Sequence, residues 1–204
     1  MSLHITIGCM YASKTTSLIQ KYNTLNNQNE PILVLDYDTE RQNKFYDGEL
    51  VNHNGITIPC IKCSVLYHLL DIYKKRGNFQ ISHEFDPLND FAASREMHST
   101  RDALFNARHI MINEAQFFPD LVEFVKEFSQ RNIYLYGLDG DFKQQKIGYI
   151  LDLIPLCDTV TKLRATCACG ERAIFSKILS SESTESEQYQ PNAQYIPVCR
   201  KCNK

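Results

Sequence analysis

The sequence lacks an excess of charge of either sign. Its 22 lysine and arginine residues and 24 aspartate and glutamate residues give a formal net charge of −2 at pH 7. A protein that captures nucleic acid or anionic membranes by charge needs a basic surface, which this balance does not provide. We therefore expect no direct nucleic-acid partner, and a zinc-ribbon nucleic-acid binder finds little support.

Long apolar segments are also missing. No stretch is long enough to cross a bilayer, and the N-terminus has no cationic segment followed by a long apolar run. We therefore expect a cytoplasmic protein with no membrane partner. Apolar residues (43%) and charged residues (23%) have the proportions of a globular chain, and 204 residues fit one ordinary domain with a small appendage.

Histidine motifs and internal repeats are absent as well. The six histidines are not spaced as metal ligands or as part of a catalytic triad. No period of repetition is present, which excludes a repeat architecture. The eight cysteines would suggest disulfides in a secreted protein, but in an intracellular protein they favour metal binding.

Four of these cysteines form two knuckles near the C-terminus. Cys167 and Cys169 have C-x-C spacing, Cys199 and Cys202 have C-x-x-C spacing, and a polar segment separates the two pairs. This is the arrangement of a four-cysteine zinc ribbon, so the pattern predicts a structural Zn²⁺. The first knuckle is one residue short, which makes tetrahedral geometry harder to reach.

The other cysteines carry weaker signals. The segment "PCIKC" (59–63) is a further C-x-x-C, but no second pair accompanies it. Two thiols at the start of a helix are therefore favoured over a metal site. Cys9 and Cys157 have no evident partner and are expected to pack in the interior.

Strand-like and helix-like patterns alternate along the chain. Strands are predicted at 3–7, 31–37, 109–113 and 132–137. Helices are predicted after residue 16, over 64–75 with Ser64 as the capping residue, and over 120–128 with Asp120 as N-cap and Glu123 near a capping box. The alternation predicts an α/β fold with a parallel sheet. Residues 76–108 read as an insertion or a long, partly helical loop, and 180–188 as a mobile, solvated loop.

The segment "GCMYASKTT" (8–16) has the outline of a phosphate-binding loop. Backbone N–H groups and a helix N-terminus would converge on an anion, with Lys14 reaching the β- and γ-phosphates and Thr15 binding Mg²⁺. Ser13 stands where the motif has glycine, and a left-handed backbone there would cost about 1–2 kcal/mol of strain. The alternative is a plain turn between a strand and a helix.

The segment "HIMINEAQFF" (109–118) places an acid directly after an apolar strand. In phosphate-loop enzymes such a carboxylate lies beside Mg²⁺ and the phosphates. Glu114 is therefore a candidate general base, or else a surface acid beyond the strand. Asn113 keeps an oxygen acceptor for a metal-bound water but removes one negative charge, so Asn113→Asp is expected to strengthen the handling of Mg²⁺–ATP.

Four segments resemble type II thymidine kinases, the cellular and poxvirus-like family: "INEAQFFPDLVEF", "GLDGDFKQQKIGYILDLIPL", "VTKLRATC" and "VCRKC". The resemblance covers nearly the whole chain apart from the insertion at 76–108. It implies ATP-dependent transfer of the γ-phosphoryl group to the 5′-hydroxyl of thymidine, and a homotetramer. It also implies a P-loop α/β domain at about 1–162, followed by a zinc-ribbon and lasso domain at about 163–204.

The resemblance implies roles for individual residues, with Glu114 as the catalytic base. ATP and Mg²⁺ would be held by Gly8, Cys9, Met10, Tyr11, Ala12, Ser13, Lys14, Thr15, Asp38, Arg41, Asn113 and Gln116. The nucleoside would be enclosed by Met10, Phe117, Leu138, Phe142, Ser176, Gln188, Tyr189, Gln190 and Tyr195. The lasso, 180–195, would grip the base through backbone groups. Zinc would be held by Cys167, Cys169, Cys199 and Cys202.

Several functional motifs depart from the family's pattern while the scaffold motifs around them remain. Cys9 stands for a proline, Ser13 for a glycine, Asn113 for an aspartate, and Gln190-Pro191 for glycines of the lasso. The leading hypothesis is a thymidine kinase of pyrimidine salvage. The alternative is a catalytically weak or inactive relative that binds nucleotides or serves as a scaffold.

Overall fold

The computed structural model describes residues 1–38, 45–74, 102–179 and 193–203. A seven-stranded sheet with the order β3-β4-β2-β5-β6-β1-β7 forms its centre. The strands are β1 (Ser2–Ile7), β2 (Ile32–Tyr37), β3 (Tyr46–Val51), β4 (Thr57–Cys63), β5 (His109–Asn113), β6 (Asn132–Gly137) and β7 (Thr159–Lys162). Within this sheet only β3 pairs antiparallel to its neighbour, so the predicted α/β class is confirmed with a mostly parallel sheet.

Helices cover the two faces of this sheet. They are α1 (Lys14–Asn26), α2 (Tyr67–Lys74) and α3 (Leu121–Glu127), with 3₁₀ turns at Ala115–Phe117 and Ile150–Leu156. Leu33 and Leu35 of β2 pack with α2 and α3 on one face, whereas Val34 packs with α1 on the other. This alternation explains why the β2 segment is a nearly continuous apolar run. Residues 102–106 are helical; most of the predicted insertion at 76–108, and all of the predicted loop at 180–188, lie outside the described residues.

The hairpin of β3 and β4 was not predicted, and the interpretation of "PCIKC" as a helix start is wrong. Cys60 and Cys63 are buried within β4. Pro59 argues against a strand, but it pairs only with β3, because β4 joins β2 from Ile61 onward. The Asn-Gly dipeptide at 54–55 in the turn, with Gly55 at φ 74°, is the signal that could have found the hairpin.

One predicted helix start is wrong, and another is confirmed in position but not in its capping bond. Helix α2 begins at Tyr67, three residues after Ser64. Asp120 does stand at the N-cap position of α3, but its side chain makes no capping bond there. Its Oδ1 instead accepts a hydrogen bond from the backbone N–H of Leu66, at 3.1 Å, so the carboxylate serves the start of the neighbouring helix. A long-range partner has replaced the local cap.

The C-terminal part contains two small antiparallel sheets. Strands β8 (Ala165–Thr166) and β9 (Arg172–Ala173) form one, and β10 (Phe175–Ile178) and β11 (Tyr195–Val198) form the other. Cys9 and Ala12 of the segment after β1 pack into the small apolar cluster of this region. The boundary between residues 162 and 163 stays a prediction. Among the described helices, none is long and apolar enough to cross a membrane.

Candidate active site

The segment between β1 and α1 has the left-handed backbone that a phosphate loop requires. Tyr11 has φ 62° and Ser13 has φ 61°. Ser13 thus adopts the conformation for which glycine is suited, and the sequence expectation of local strain at this position is confirmed. Gly8 is required for a different reason, because a Cβ there would lie 2.6 Å from the backbone oxygen of Leu163.

Lys14 is folded into this loop. Its side chain is buried, and Nζ donates hydrogen bonds to the backbone oxygens of Gly8, at 3.1 Å, and Cys9, at 2.9 Å. Burial lowers the pKa of Lys14, and the nearby charge of Glu114 opposes that shift. The ammonium is therefore held by loop carbonyls at the beginning of α1, within the field of a carboxylate.

A cavity of about 580 Å³ opens beside the loop. The loop, the end of β2, the hairpin turn and the segments after β5 and β6 contribute its lining: Met10, Tyr11, Ala12, Ser13, Lys14, Thr15, Thr16, Tyr37, Asp38, His53, Glu114, Phe117 and Leu138. Ten of the residues predicted from the sequence are among these. Tyr37, His53 and Thr16 were not predicted.

Glu114 is held by a neighbouring amide. It lies directly after β5 with φ 48°, and its Oε2 accepts a hydrogen bond from Nε2 of Gln116, at 2.7 Å. The other end of that amide, Oε1, accepts from the backbone N–H of Leu138, at 2.9 Å. Gln116 is buried behind the cavity, and its two hydrogen bonds join the ends of β5 and β6.

Aromatic pairs form two parts of the cavity wall. Tyr37 and Phe117 have ring centroids 5.1 Å apart, and Tyr11 and His53 stack at 5.5 Å. The first pair gives an aromatic surface next to Glu114, with the two ring planes tilted by 35°. The second brings the hairpin turn against the segment between β1 and α1.

Several other predicted residues lie away from this cavity. Ser176 accepts a hydrogen bond from the backbone N–H of Met10, at 3.0 Å, and lines a smaller cavity of about 170 Å³. Tyr195 is buried in β11 opposite Ile178, and Phe142 is half-buried beneath the ammonium of Lys143. The remaining predicted residues lie outside the described ranges: Arg41, Gln188, Tyr189 and Gln190.

Polar residues at the ends of β2 and β5 are linked to one another. Asn113 is buried, and its Nδ2 donates to Oδ1 of Asp36 at 2.9 Å. Asp38, which lines the cavity, accepts a hydrogen bond from the hydroxyl of Tyr46 at 2.7 Å. Asp36 was not predicted as a site residue, although a lone charge within the apolar segment "ILVLDY" was a signal for it.

The four predicted zinc ligands meet at one point. The sulfurs of Cys167, Cys169, Cys199 and Cys202 all lie within 4.8 Å of one another, and Sγ of Cys169 is 3.6 Å from Sγ of Cys199. A tetrahedron with Zn–S bonds of about 2.3 Å has edges of roughly 3.8 Å, so this set fits Zn²⁺ and the short knuckle is compatible with it. Backbone N–H groups of Cys169 and Cys199 lower the pKa of Cys167 to about 6, which favours a thiolate.

Comparisons with known proteins agree with this geometry. A family profile described as thymidine kinase matches residues 1–81 and 67–203. The thymidine kinase of Oryza sativa subsp. japonica is 32% identical over 205 residues, covering 97% of this chain and 64% of the rice protein. Thymidine kinase a of Arabidopsis thaliana is 29% identical over 204 residues (98% and 74%), and the thymidine kinase of Yaba monkey tumor virus is 31% identical over 203 residues (98% and 93%).

The chain thus spans slightly less than two thirds of the rice relative's length and nearly all of the viral one. The family profile extends from the phosphate loop to the second cysteine knuckle, across both groups of residues that the structure assembles. The chain belongs to the thymidine kinase family.

Proposed function

We propose that this protein transfers the γ-phosphoryl group of ATP to the 5′-hydroxyl of thymidine. One observation carries the proposal: the phosphate loop with Lys14, the carboxylate of Glu114 and an apolar aromatic wall all line a single cavity. A donor phosphate, a base and a site for a flat ring are the parts that this reaction needs.

The donor would bind at the loop end of the cavity. The N-terminus of α1 offers N–H donors to the phosphates, and Lys14 offers a buried positive charge. Mg²⁺, when bound, would neutralise charge on the phosphates, and Thr15, Asn113 and Asp38 offer the oxygen ligands or acceptors that it prefers.

Glu114 would accept the proton of the 5′-hydroxyl. Gln116 restrains its Oε2, which reduces the freedom of the carboxylate before substrate binds. Because the transition state of phosphoryl transfer is loose, orientation and charge contribute more than the strength of the base.

The thymine ring would lie against Phe117, with Met10 and Leu138 on the side of its methyl group. Tyr37 extends that wall beside Phe117. The resemblance would add Phe142, Ser176, Tyr195 and lasso residues 188–190 around the base, and Arg41 on the phosphate side. A pocket of this shape discriminates pyrimidines from purines by size.

Two further features accompany the proposal. A structural Zn²⁺ would bind the four cysteines and link the segments on either side of the lasso. The active species would be a homotetramer, which the molar mass of the purified protein in solution would test.

The test is turnover of ATP, Mg²⁺ and thymidine by purified protein, with Glu114→Gln as the matched control. We expect thymidine monophosphate and ADP in equal amounts from the parent and a much lower rate from the control. Tight binding of Mg²⁺–ATP without turnover would instead support the non-catalytic alternative.

A further inference from the structure

Four side chains form one row across the carboxyl edge of the sheet. In the strand register, Tyr46 of β3 is opposite Lys62 of β4, Lys62 is opposite Asp36 of β2, and Asp36 is opposite Asn113 of β5. Residues in register on adjacent strands project to the same face, so the row is continuous. It ends next to Glu114.

Hydrogen bonds and ion pairs connect this row. Nδ2 of Asn113 donates to Oδ1 of Asp36 at 2.9 Å, and Nζ of Lys62 donates to Oδ2 of the same carboxylate at 2.9 Å. Lys62 also lies 3.8 Å from Oδ2 of Asp38, the oxygen that accepts from Tyr46. One lysine is thus shared by two carboxylates, and one of these carboxylates lines the cavity.

The position of the charge is the informative feature. Residue 113 lies at the metal side of the site in the proposed reaction, yet it is a neutral amide. The carboxylate stands on the adjacent strand instead, and Asp36 is only 6% exposed. An ionised carboxylate accepts hydrogen bonds and cannot donate them, so it selects the nitrogen end of the Asn113 amide and leaves Oδ1 as the acceptor end.

We propose that Asp36 is a positioning residue on the side of the site where the phosphates would bind, next to Asp38 and Asn113. It fixes the orientation of the Asn113 amide, so that the oxygen of Asn113 serves a metal-bound water, and it carries on β2 the negative charge that β5 lacks. This inference rests on the proposed function for the identity of the ligand, Mg²⁺–ATP, but the pairing of Asp36 with Asn113 stands without it.

The pairing changes the expectation for Asn113→Asp. In the parent background this substitution would place two carboxylates in direct contact, with Lys62 shared between them and Asp38. The thiols of Cys60 and Cys63 would add no further negative charge, because burial raises the pKa of each to about 12 and keeps them neutral. In the double variant, D36N/N113D, the two side chains exchange places between β2 and β5. One amide would then again donate to one carboxylate.

The first measurement is the thermal midpoint of the parent, N113D, D36N and D36N/N113D. We expect N113D to lose roughly 5 °C at pH 8, because two carboxylates would then lie in direct contact where an amide now donates to a carboxylate. The double variant should lie within about 2 °C of the parent.

The second measurement is nucleotide affinity by calorimetry, with Mg²⁺ and with EDTA. We expect D36N to bind Mg²⁺–ATP at least ~10-fold more weakly than the parent, while ATP affinity in EDTA changes little. Asp47→Asn, which removes an exposed carboxylate from the same hairpin, is the matched control and should change neither midpoint nor affinity.

Two results would overturn the proposal. One is an N113D protein that is as stable as the parent at pH 8. The other is a D36N protein whose Mg²⁺-dependent affinity equals that of the parent, because the pair would then be structural only. Failure of the proposed function gives a different result: no thymidine phosphorylation by the parent, with the stability and affinity pattern intact.

Discussion

Gln116 holds Glu114 from behind the cavity: Nε2 of the amide lies 2.7 Å from Oε2 of the carboxylate. Because the other end of the amide accepts the backbone N–H of Leu138, the orientation of the amide is determined on both sides. The position of the proposed base therefore depends on a buried residue that donates to it.

Replacing Glu114 by Gln should lower kcat by about 10²–10⁴-fold, in line with the loss of a general base. The fold should be nearly unaffected, since an amide oxygen at position 114 can still accept from Gln116. Steady-state kinetics and thermal unfolding on the same preparation test this. Equal turnover in variant and parent would remove Glu114 from the mechanism.

Replacing Gln116 by Leu should lower both stability and kcat. The variant leaves the N–H of Leu138 without its buried acceptor, which costs about 1–3 kcal/mol of unfolding free energy, and it frees Glu114 to move. Urea unfolding and turnover measure the two effects. Gln145→Leu, at an exposed position, is the control and should change neither.

Replacing Gly148 by Ala should disrupt the site more than the same change at Gly55. Both glycines have positive φ, 56° and 74°, so both variants carry backbone strain of about 1 kcal/mol. A Cβ at Gly148 would lie 1.7 Å from the backbone oxygen of Gln116, whereas a Cβ at Gly55 meets nothing within 4 Å. Similar unfolding free energies and similar turnover rates for the two variants would contradict this account.

Replacing Ser13 by Gly should raise the free energy of unfolding, as measured by urea denaturation. The left-handed backbone at φ 61° costs an L-residue roughly 1 kcal/mol more than glycine, and the folded loop already carries that cost, so its relief should stabilise the fold by about that amount. Ser13→Ala keeps the Cβ and should give no gain. An equal response of the two variants would assign the effect to the hydroxyl group and not to the backbone.

Purified protein should contain one Zn²⁺ per chain. Cys169→Ser and Cys202→Ser should each lose the metal and lower the unfolding midpoint, because a thiolate site joins segments that share only a small core. Cys157→Ser, outside the cluster, should retain it. Elemental analysis without added metal measures the content, and a value near zero in the parent would mean that packing alone holds this region.

Local signals explain which parts of the molecule could be predicted. The strands β1, β2, β5 and β6 and the helix after the phosphate loop were predicted, because apolar periodicity reports burial directly. The cysteine spacing predicted the cluster because each knuckle is a short local unit. Ser13 was assigned to a strained position because the motif requires a particular backbone there.

Non-local pairing explains what was missed. The hairpin of β3 and β4 has weak periodicity and contains Pro59, so only its turn gave a signal. Asp120 accepts a hydrogen bond from the backbone N–H of Leu66, just before helix α2. The ring of Tyr11 stacks on His53, which lies in the hairpin turn. Neither contact leaves a trace in the residues next to it in the chain.

The sequence by itself determined the α/β class, the strand and helix on either side of the proposed phosphate loop, and the four clustered cysteines, because each depends on residues close together in the chain. Tertiary structure alone decided that Asn113 faces Asp36, 77 positions away, and that Asp36 also pairs with Lys62. The register of three strands sets those contacts, and register follows from the packing of the whole sheet. The charge beside residue 113 is therefore a property of the fold, and the identity of residue 113 does not reveal it.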